Sequence, residues 1–277
     1  MTETSGRATN IVFLGGGNMA NALVGGLVAK RYDARSISVI EISPAARDRI
    51  AAHGVRVGVA PDATTAKADT LVLAVKPQDA RAALASVAPS IGGKLVISIA
   101  AGVRLDSLSR WLGGHRQLVR CMPNTPALVG AGIAGLYALP EVDVEGRERA
   151  ESILSAVGEV VWVGEERLLD TVTAVSGSGP AYLFWLIEQL AAFAERAGIP
   201  SADAMRLAKH CVLGSAKLAL ASDEAPAQLR KNVTSKGGTT EAALKVFAEE
   251  KLAERFHKAL AAATRRGGEL GEELGKD

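Results

Sequence analysis

The chain has 277 residues, of which 48% are hydrophobic and 22% are charged, and its formal net charge is +2. This length leaves room for two domains, and the ordinary composition and near-neutral charge give no electrostatic reason to expect nucleic acid or a membrane surface as a partner. Only four apolar residues in a row precede the first glycines, too few for a signal peptide or a membrane span, so we expect a cytoplasmic protein.

The first predicted element is a strand, Asn10 to Leu14, which runs into three glycines and then into a helix. This order is typical of a dinucleotide site. Gly15 permits a tight turn, Gly17 lets a pyrophosphate touch the backbone, and Ala20 takes the small position where helix meets strand. Asn18 and Met19 open the helix and belong to the same predicted cofactor site. The alternative interpretation is a plain tight turn.

The helix expected over Asn18 to Lys30 contains Gly25 and Gly26, which we expect to let it lie close on the sheet. The second strand ends at Glu41. An acidic residue there accepts hydrogen bonds from the adenosine ribose and repels the extra phosphate of NADPH, which favours NADH. Arg47 or Arg49 could still reach that phosphate, so both coenzymes remain open.

Short β-branched runs alternate with helical stretches up to about Val163, the pattern of a mainly parallel, Rossmann-type sheet covered on both faces. The predicted strands are Asn10 to Leu14, Ser36 to Glu41, Val55 to Val59, Thr70 to Val75, Leu95 to Ile99, Leu118 to Met122, Ile133 to Tyr137 and Val160 to Val163.

Two strand ends are predicted to line the cofactor cleft, because ligands of open α/β sheets bind at the carboxyl ends of the strands. The fourth strand ends in Ala74, Val75, Lys76 and Pro77, and the fifth is followed by Ala100, Ala101 and Gly102. The small residues at 100–102 leave room for a flat nicotinamide ring. Alternatively, they are small only because the connection between strand and helix is tight. The loop Arg120 to Pro126, which contains Asn124, either shapes the active site or fixes the backbone.

Strand patterns stop after Val163, so we expect an all-α second domain, with boundaries 1–165 and 166–277. Ser176 to Pro180 predicts a helix start with Ser178 as the cap. Residues 181–187 are apolar on every face, which predicts a helix buried in the interface of an obligate dimer. The last helices are expected to continue into a frayed, charged tail.

The stretch from Val233 to Glu241 carries the most specific chemistry. Gly237 and Gly238 precede two threonines that open a helix, and unpaired amides at such a corner hold a small carboxylate. Thr240 could cap the helix and also hydrogen-bond a ring nitrogen, whereas Lys236 is a surface charge or an added attraction for an acid. Cys121, Cys211 and the four histidines show no metal-ligand spacing, and we expect no metal site and no covalent nucleophile.

Together these segments resemble the pyrroline-5-carboxylate reductases over nearly the whole chain. The resemblance is most specific from Pro226 to Phe247, and it extends to Ala74–Pro77, Ala100–Gly102, Arg120–Pro126 and Ser176–Tyr182. It implies NADPH- or NADH-dependent reduction of a cyclic imino acid, 1-pyrroline-5-carboxylate, to L-proline, the last step of proline biosynthesis. It also implies homodimers whose C-terminal helices interlock, and five such dimers often form a decamer.

The resemblance also assigns roles to individual residues. The substrate site is expected to comprise Val233, Ser235, Gly237, Gly238, Thr239 and Thr240, in which the backbone amides of residues 237–239 grip the carboxylate and Thr240 hydrogen-bonds the ring nitrogen. Two departures from the family pattern stand out. Lys236 replaces the usual proline, which changes loop stiffness, and Pro61 replaces an asparagine expected near the adenosine ribose, which changes cofactor affinity.

Two alternatives remain. β-Hydroxyacid dehydrogenases share the layout but use a lysine one turn beyond an asparagine on the interdomain helix, and the helix expected from Pro180 to Arg196 contains no lysine. A non-catalytic nucleotide-binding scaffold would keep the fold without turnover.

Overall fold

A computed structural model describes residues 9–276, and its core is one eight-stranded sheet in the order β3-β2-β1-β4-β5-β6-β7-β8. All neighbouring strands are parallel except β6 and β7, which are antiparallel. The predicted mainly parallel sheet is therefore confirmed, and most strand ends lie within one or two residues of their predicted positions. The strands are β1 (Ile11–Leu14), β2 (Ile37–Ile40), β3 (Arg56–Gly58), β4 (Thr70–Leu73), β5 (Leu95–Ser98), β6 (Leu118–Met122), β7 (Gly132–Ala138) and β8 (Gly158–Trp162).

The helices follow the alternation expected from the sequence. They are α1 (Asn18–Ala29), α2 (Pro44–Ala51), α3 (Ala63–Lys67), α4 (Ala80–Val87), α5 (Leu105–Trp111), α6 (Val144–Leu154), α7 (Leu168–Val172), α8 (Gly179–Arg196), α9 (Ser201–Ala221), α10 (Pro226–Asn232), α11 (Thr239–Glu249) and α12 (Leu252–Leu274). Within residues 9–276, no helix combines the length and apolar character needed to cross a bilayer.

Two separate hydrophobic clusters cover the two faces of the sheet. Ile11 and Phe13 of β1 belong to one cluster with Leu23 of α1, and their neighbours Val12 and Leu14 belong to the other. This split follows from the alternation of side chains along a strand. Every residue of β1, β4 and β5 is buried, as expected for parallel strands that are covered on both sides.

Contrary to expectation, Gly25 and Gly26 of α1 face neighbours other than the strands of the sheet. A Cβ at Gly25 would lie 2.9 Å from the His53 ring, and one at Gly26 would lie 2.6 Å from the carbonyl oxygen of Ala156. These glycines therefore admit His53, which follows α2, and the turn before β8, whereas Ala20 of the same helix is fully buried.

Contacts divide the chain into two compact units. Among the described residues, one unit contains 9–177 together with 263–276, and the other is Ser178–Ala262. Compared with the expected division at 165/166, the segments 166–177 and 263–276 therefore group with the sheet. The prediction of a frayed tail is wrong, because α12 continues as far as Leu274 and its last part belongs to the sheet unit.

The second unit is helical, and α8 packs along α9. Its large apolar side chains remain accessible in the single chain: Phe184 and Trp185 are both 60% exposed. Ser178 occupies the predicted cap position of α8, but its hydroxyl makes no capping hydrogen bond, which corrects that expectation. A short π-helical segment, Thr173–Gly177, precedes it instead.

Candidate active site

The glycine-rich turn connects β1 to α1 in a conformation that requires glycine at its first position. Gly15 has φ +103°, and a Cβ there would lie 2.7 Å from the carbonyl carbon of Ala74. Gly17 is the N-cap of α1, and a Cβ there would have no neighbour within 4 Å. The unpaired amides at the start of α1 therefore adjoin open space on which a pyrophosphate can approach the backbone.

Glu41 lies directly against this turn. Its carboxylate accepts hydrogen bonds from the backbone amides of Gly16, at 2.6 Å, and Ser43, at 2.7 Å. The guanidinium of Arg47 donates to the carbonyl oxygens of Glu41 and Ile42, at 2.9 and 2.8 Å. The carboxylate is thus fixed beside the glycine-rich turn, and Arg47 is bonded to backbone carbonyls.

The segments after β4 and β5 lie at the carboxyl edge of the sheet, as their strands require. The amide of Ala74 donates to the carbonyl of Leu14, which joins the start of Ala74–Pro77 to the glycine-rich turn. Ala100 is buried and Ala101 is exposed. At Gly102, however, a Cβ would lie 3.0 Å from Leu274 of α12, so the space beside this glycine is occupied by the last helix.

The side chain of Asn124 fixes backbone segments. Its amide nitrogen donates to the carbonyl of Ser176 at 3.1 Å, and its amide oxygen accepts from the backbone of Ile133 at 2.9 Å. These bonds tie the loop after β6 to β7 and to the π-helical segment. They favour the backbone-fixing interpretation of this loop, and the contact of Asn124 with the cofactor stays a prediction.

A cluster of four buried or half-buried charges lies in the sheet unit, and sequence reasoning missed it. Arg120, whose side chain is 4% exposed, contacts Glu166 at 3.0 Å and Asp170 at 3.6 Å. Arg104 contacts Asp170 at 2.7 Å, and Glu166 also accepts the amide of Leu105 at 2.9 Å. An arginine inside an otherwise apolar strand was the signal available, because a buried charge needs partners.

The loop between α10 and α11, residues 233–238, turns sharply before the helix. Gly237 has φ +72°, and the amide of Gly238 donates to the carbonyl of Ser235 at 3.0 Å. The amide of Gly237 donates to the carboxylate of Glu241 at 2.7 Å. Two of the three amides predicted to grip a substrate carboxylate therefore already have acceptors, one in the loop and one in the first turn of α11.

The unpaired donors are the backbone amides that follow Gly238. The first amide that bonds within α11 is that of Ala242, which donates to the carbonyl of Gly238. The amides of Thr239, Thr240 and Glu241 consequently remain available at the start of the helix, where the macrodipole favours an anion. Gly238 is the N-cap and Thr240 is the second helical residue, so its hydroxyl is not the cap. Position 236 lies in the exposed part of the loop.

Cys121 does not lie in a nucleophilic setting. Burial raises the pKa of the Cys121 thiol far above its usual range, which keeps it protonated and unreactive. Among residues 9–276, no group of three or more histidine, cysteine or acidic side chains is placed to hold a metal ion.

Comparison with known proteins gives consistent matches over the whole chain. Residues 166–270 match the family described as pyrroline-5-carboxylate reductase dimerisation, and residues 10–102 match the family described as NADP oxidoreductase coenzyme F420-dependent. A pyrroline-5-carboxylate reductase of Pseudomonas aeruginosa is 44% identical over 96% of this chain and 98% of its own length.

Two solved structures of pyrroline carboxylate reductases are also similar to this chain. A pyrroline-5-carboxylate reductase from Coxiella burnetii has a TM-score of 0.91 at 42% identity, covering 95% of this chain and 99% of its own. A Plasmodium falciparum pyrroline carboxylate reductase with NADP bound has a TM-score of 0.83 at 26% identity, covering 96% of this chain and all of its own.

Proposed function

The chain belongs to the pyrroline-5-carboxylate reductase family, and we infer that it uses NADH or NADPH to reduce the C=N bond of 1-pyrroline-5-carboxylate to L-proline. The observation that carries this proposal is the helix start at Thr239, where unpaired amides and a threonine hydroxyl stand together on an exposed loop. When bound, the reduced nicotinamide supplies the hydride. The residues of the chain bind, orient and polarise the reactants.

We assign the coenzyme to the turn after β1 and the neighbouring strand ends. Gly15, Gly17, Asn18 and Met19 hold the pyrophosphate, because an open glycine turn leads there into unpaired helix amides, and the buried Ala20 lets the start of the helix lie close to the strand. The remaining cofactor residues are assigned to the adenosine ribose and to the edge of the cleft: Glu41, Ala74, Val75, Lys76, Pro77, Ala100, Ala101, Gly102 and Asn124.

Glu41 selects between the two coenzymes. Its carboxylate is fixed by two backbone amides, so it can accept the hydroxyl protons of an adenosine ribose but repels a 2′-phosphate. Because Arg47 is bonded to two carbonyl oxygens, it does not offset that repulsion without leaving them. We therefore propose that NADH is the preferred coenzyme.

We assign the substrate to the loop between α10 and α11. The amides of Thr239, Thr240 and Glu241 hold the carboxylate, because the amides of Gly237 and Gly238 already donate to Glu241 and Ser235. Those two glycines shape the corner together with Ser235, and Val233, which is exposed at the end of α10, lines it. The amides that we assign to the carboxylate are therefore those of residues 239–241, in the first turn of α11, instead of those of residues 237–239.

Thr240 is the residue that we expect to act on the reacting bond. Its hydroxyl hydrogen-bonds the ring nitrogen of the bound imino acid, which fixes the C=N bond relative to the carboxylate. The protonated imine is already electrophilic, and the hydride adds to its carbon while the proton remains on nitrogen as the amine forms. Orientation and charge stabilisation suffice for this step, so no strong general acid is required.

The functional assembly that we propose is a homodimer, and five such dimers would form a decamer. The exposed apolar surface of the helical unit supports this proposal, because Phe184, Trp185 and Phe193 are each at least 60% exposed in the single chain. Contiguous apolar surface of this kind is typical of protein interfaces. A cytoplasmic location accords with two free cysteines, one of them exposed.

The two alternatives are not favoured. A β-hydroxyacid dehydrogenase would need a catalytic lysine on the interdomain helix, and α8 contains none. A scaffold without turnover would bind NADH but would not oxidise it when 1-pyrroline-5-carboxylate is added.

The test of the substrate assignment is a pair of substitutions at Thr240. Thr240→Ala should lower kcat/KM for 1-pyrroline-5-carboxylate by about 100-fold, the usual effect of removing one hydrogen bond to a reacting group, while the Kd for NADH stays within twofold. Thr240→Ser keeps the hydroxyl and should recover most of the activity. If both variants lose activity and NADH affinity equally, Thr240 supports only the fold of the loop.

A further inference from the structure

One face of the C-terminal half of α12 is made of glycines spaced four residues apart. A Cβ at Gly267 would lie 3.4 Å from Asp170, one at Gly271 would lie 2.6 Å from Nε of Arg104, and one at Gly275, just past the helix, would lie 2.9 Å from Oγ of Ser107. Glycine destabilises a helix interior relative to alanine. The destabilisation by several glycines in one helix is explained if these positions must admit neighbouring side chains.

The group admitted at Gly271 is one end of a buried ion pair. Nη2 of Arg104 donates to Oδ2 of Asp170 at 2.7 Å, and only 9% of the Asp170 side chain is exposed. The same carboxylate faces Arg120 at 3.6 Å. The guanidinium of Arg104 is therefore held between α7 and the surface of α12, with little freedom to move away from an added methyl group.

Arg104 belongs to the connection between β5 and α5, which contains the segment Ala100–Gly102. Two residues before it, Gly102 has φ +80° and faces the side chains of Leu270 and Leu274 of the same helix. Arg110 at the end of α5 donates to the carbonyl of Gly275 at 2.9 Å. The end of α12 thus contacts this connection at Gly102, at Arg104 and at the helix that follows.

We propose that the glycine face of α12 and the Arg104–Asp170 pair position the Ala100–Gly102 segment for the nicotinamide end of the coenzyme. Gly271, Arg104 and Asp170 act as positioning residues, since they work through the backbone of that segment and not through contact with the reactants. This inference rests on the proposed function, because it needs Ala100–Gly102 to line the cofactor cleft.

The chain offers a matched pair of substitutions on one helix. Gly271→Ala places a methyl group where Arg104 lies, whereas a Cβ at Gly268 would meet only Oδ2 of Asp170, at 3.8 Å. Both changes raise the helix propensity equally. The Kd for NADH is measured by fluorescence titration, and KM and kcat are measured with NADH and with 1-pyrroline-5-carboxylate varied in turn.

Gly271→Ala should raise the Kd and KM for NADH by about fivefold, within the range for residues that act on a site without touching its ligand, and leave the KM for 1-pyrroline-5-carboxylate within twofold. Gly268→Ala should leave every constant within twofold of the wild type. If Gly271→Ala is too unstable to purify, Asp170→Asn gives the same test, because it removes the negative charge that pairs with Arg104 and should also raise the Kd for NADH.

Two results distinguish failure of this inference from failure of the proposed function. If the wild-type protein neither binds NADH nor reduces 1-pyrroline-5-carboxylate, the proposed function itself is wrong. If the wild type does both but Gly271→Ala or Asp170→Asn leaves the Kd for NADH unchanged, α12 does not position the segment. An equal rise in both KM values would also contradict the proposal, because it would indicate general loss of structure.

Discussion

Replacing Glu41 with glutamine should weaken the discrimination between NADH and NADPH. The carboxylate is held by the amides of Gly16 and Ser43 at 2.6 and 2.7 Å, and a glutamine side chain has the same shape without the charge. At a separation of about 5 Å in a water-like medium, two unit charges repel by about 0.8 kcal/mol. A 2′-phosphate carries up to about two charges, so the repulsion is about 1.5 kcal/mol, or about tenfold in affinity.

The assay measures kcat/KM with NADH and with NADPH at fixed 1-pyrroline-5-carboxylate. For the wild type we expect NADH to be favoured, and for Glu41→Gln we expect the NADH-to-NADPH ratio to fall by about tenfold at low ionic strength. Most of the change should come from a lower KM for NADPH. The effect should shrink as salt is added, because screening weakens the repulsion of partly exposed charges.

The control is Glu148→Gln, which removes one negative charge from an exposed position on α6. It should leave the coenzyme ratio unchanged. If Glu41→Gln and Glu148→Gln shift the ratio equally, the effect is one of overall charge and not of the ribose corner. A wild type that prefers NADPH, with a ratio that Glu41→Gln does not alter, would refute the role given to Glu41.

Substitutions at three further positions test other parts of the account. Glu241→Ala removes the acceptor of the Gly237 amide and should raise the KM for 1-pyrroline-5-carboxylate about fivefold, the loss typical of one hydrogen bond. Glu241→Gln keeps an acceptor and should stay near the wild type. Equal KM values for the two variants would contradict this. Trp185→Glu, at an apolar position that is 60% exposed in the single chain, should lower the mass measured by sedimentation, and an unchanged mass would place the interface elsewhere. Because burial raises the pKa of Cys121, a Cys211→Ala variant should not react with a thiol reagent at pH 8 until it unfolds; reaction in the folded protein would contradict that assignment.

The sheet could be predicted from the sequence because its strands are short apolar runs with clear ends. Ile11–Leu14 is followed by glycines, and the central strands β4 and β5 are apolar except for one threonine and one serine. The turn at Gly15 was predictable for the same reason, since its left-handed conformation needs glycine. These features depend on neighbours along the chain, which a sequence pattern records directly.

The donors of the substrate loop could not be assigned from the sequence alone. Whether Gly237 offers its amide to a ligand depends on where the carboxylate of Glu241 lies, and that is decided by the geometry of the first turn of α11. The motif predicted the corner and its helix. It could not indicate that two of the three expected amides already donate to Ser235 and Glu241.

The role of the last helix was missed because its sequence is charged and contains glycines. The segment from Arg265 to Gly275 looks like a solvated tail, since glycine lowers helix propensity and most of its other residues are charged. In the structure the glycines face Asp170 and Arg104, which lie about 100 residues or more away along the chain. Contacts at that separation leave no local pattern.

The most direct test of the central claim is the absorbance of NADH followed with and without 1-pyrroline-5-carboxylate, in the wild type and in Thr240→Ala. The account predicts rapid oxidation of NADH that requires the imino acid, forms proline in equal amount, and is nearly abolished in Thr240→Ala although that variant still binds NADH. Binding of NADH by the wild type without oxidation on addition of the imino acid would contradict it.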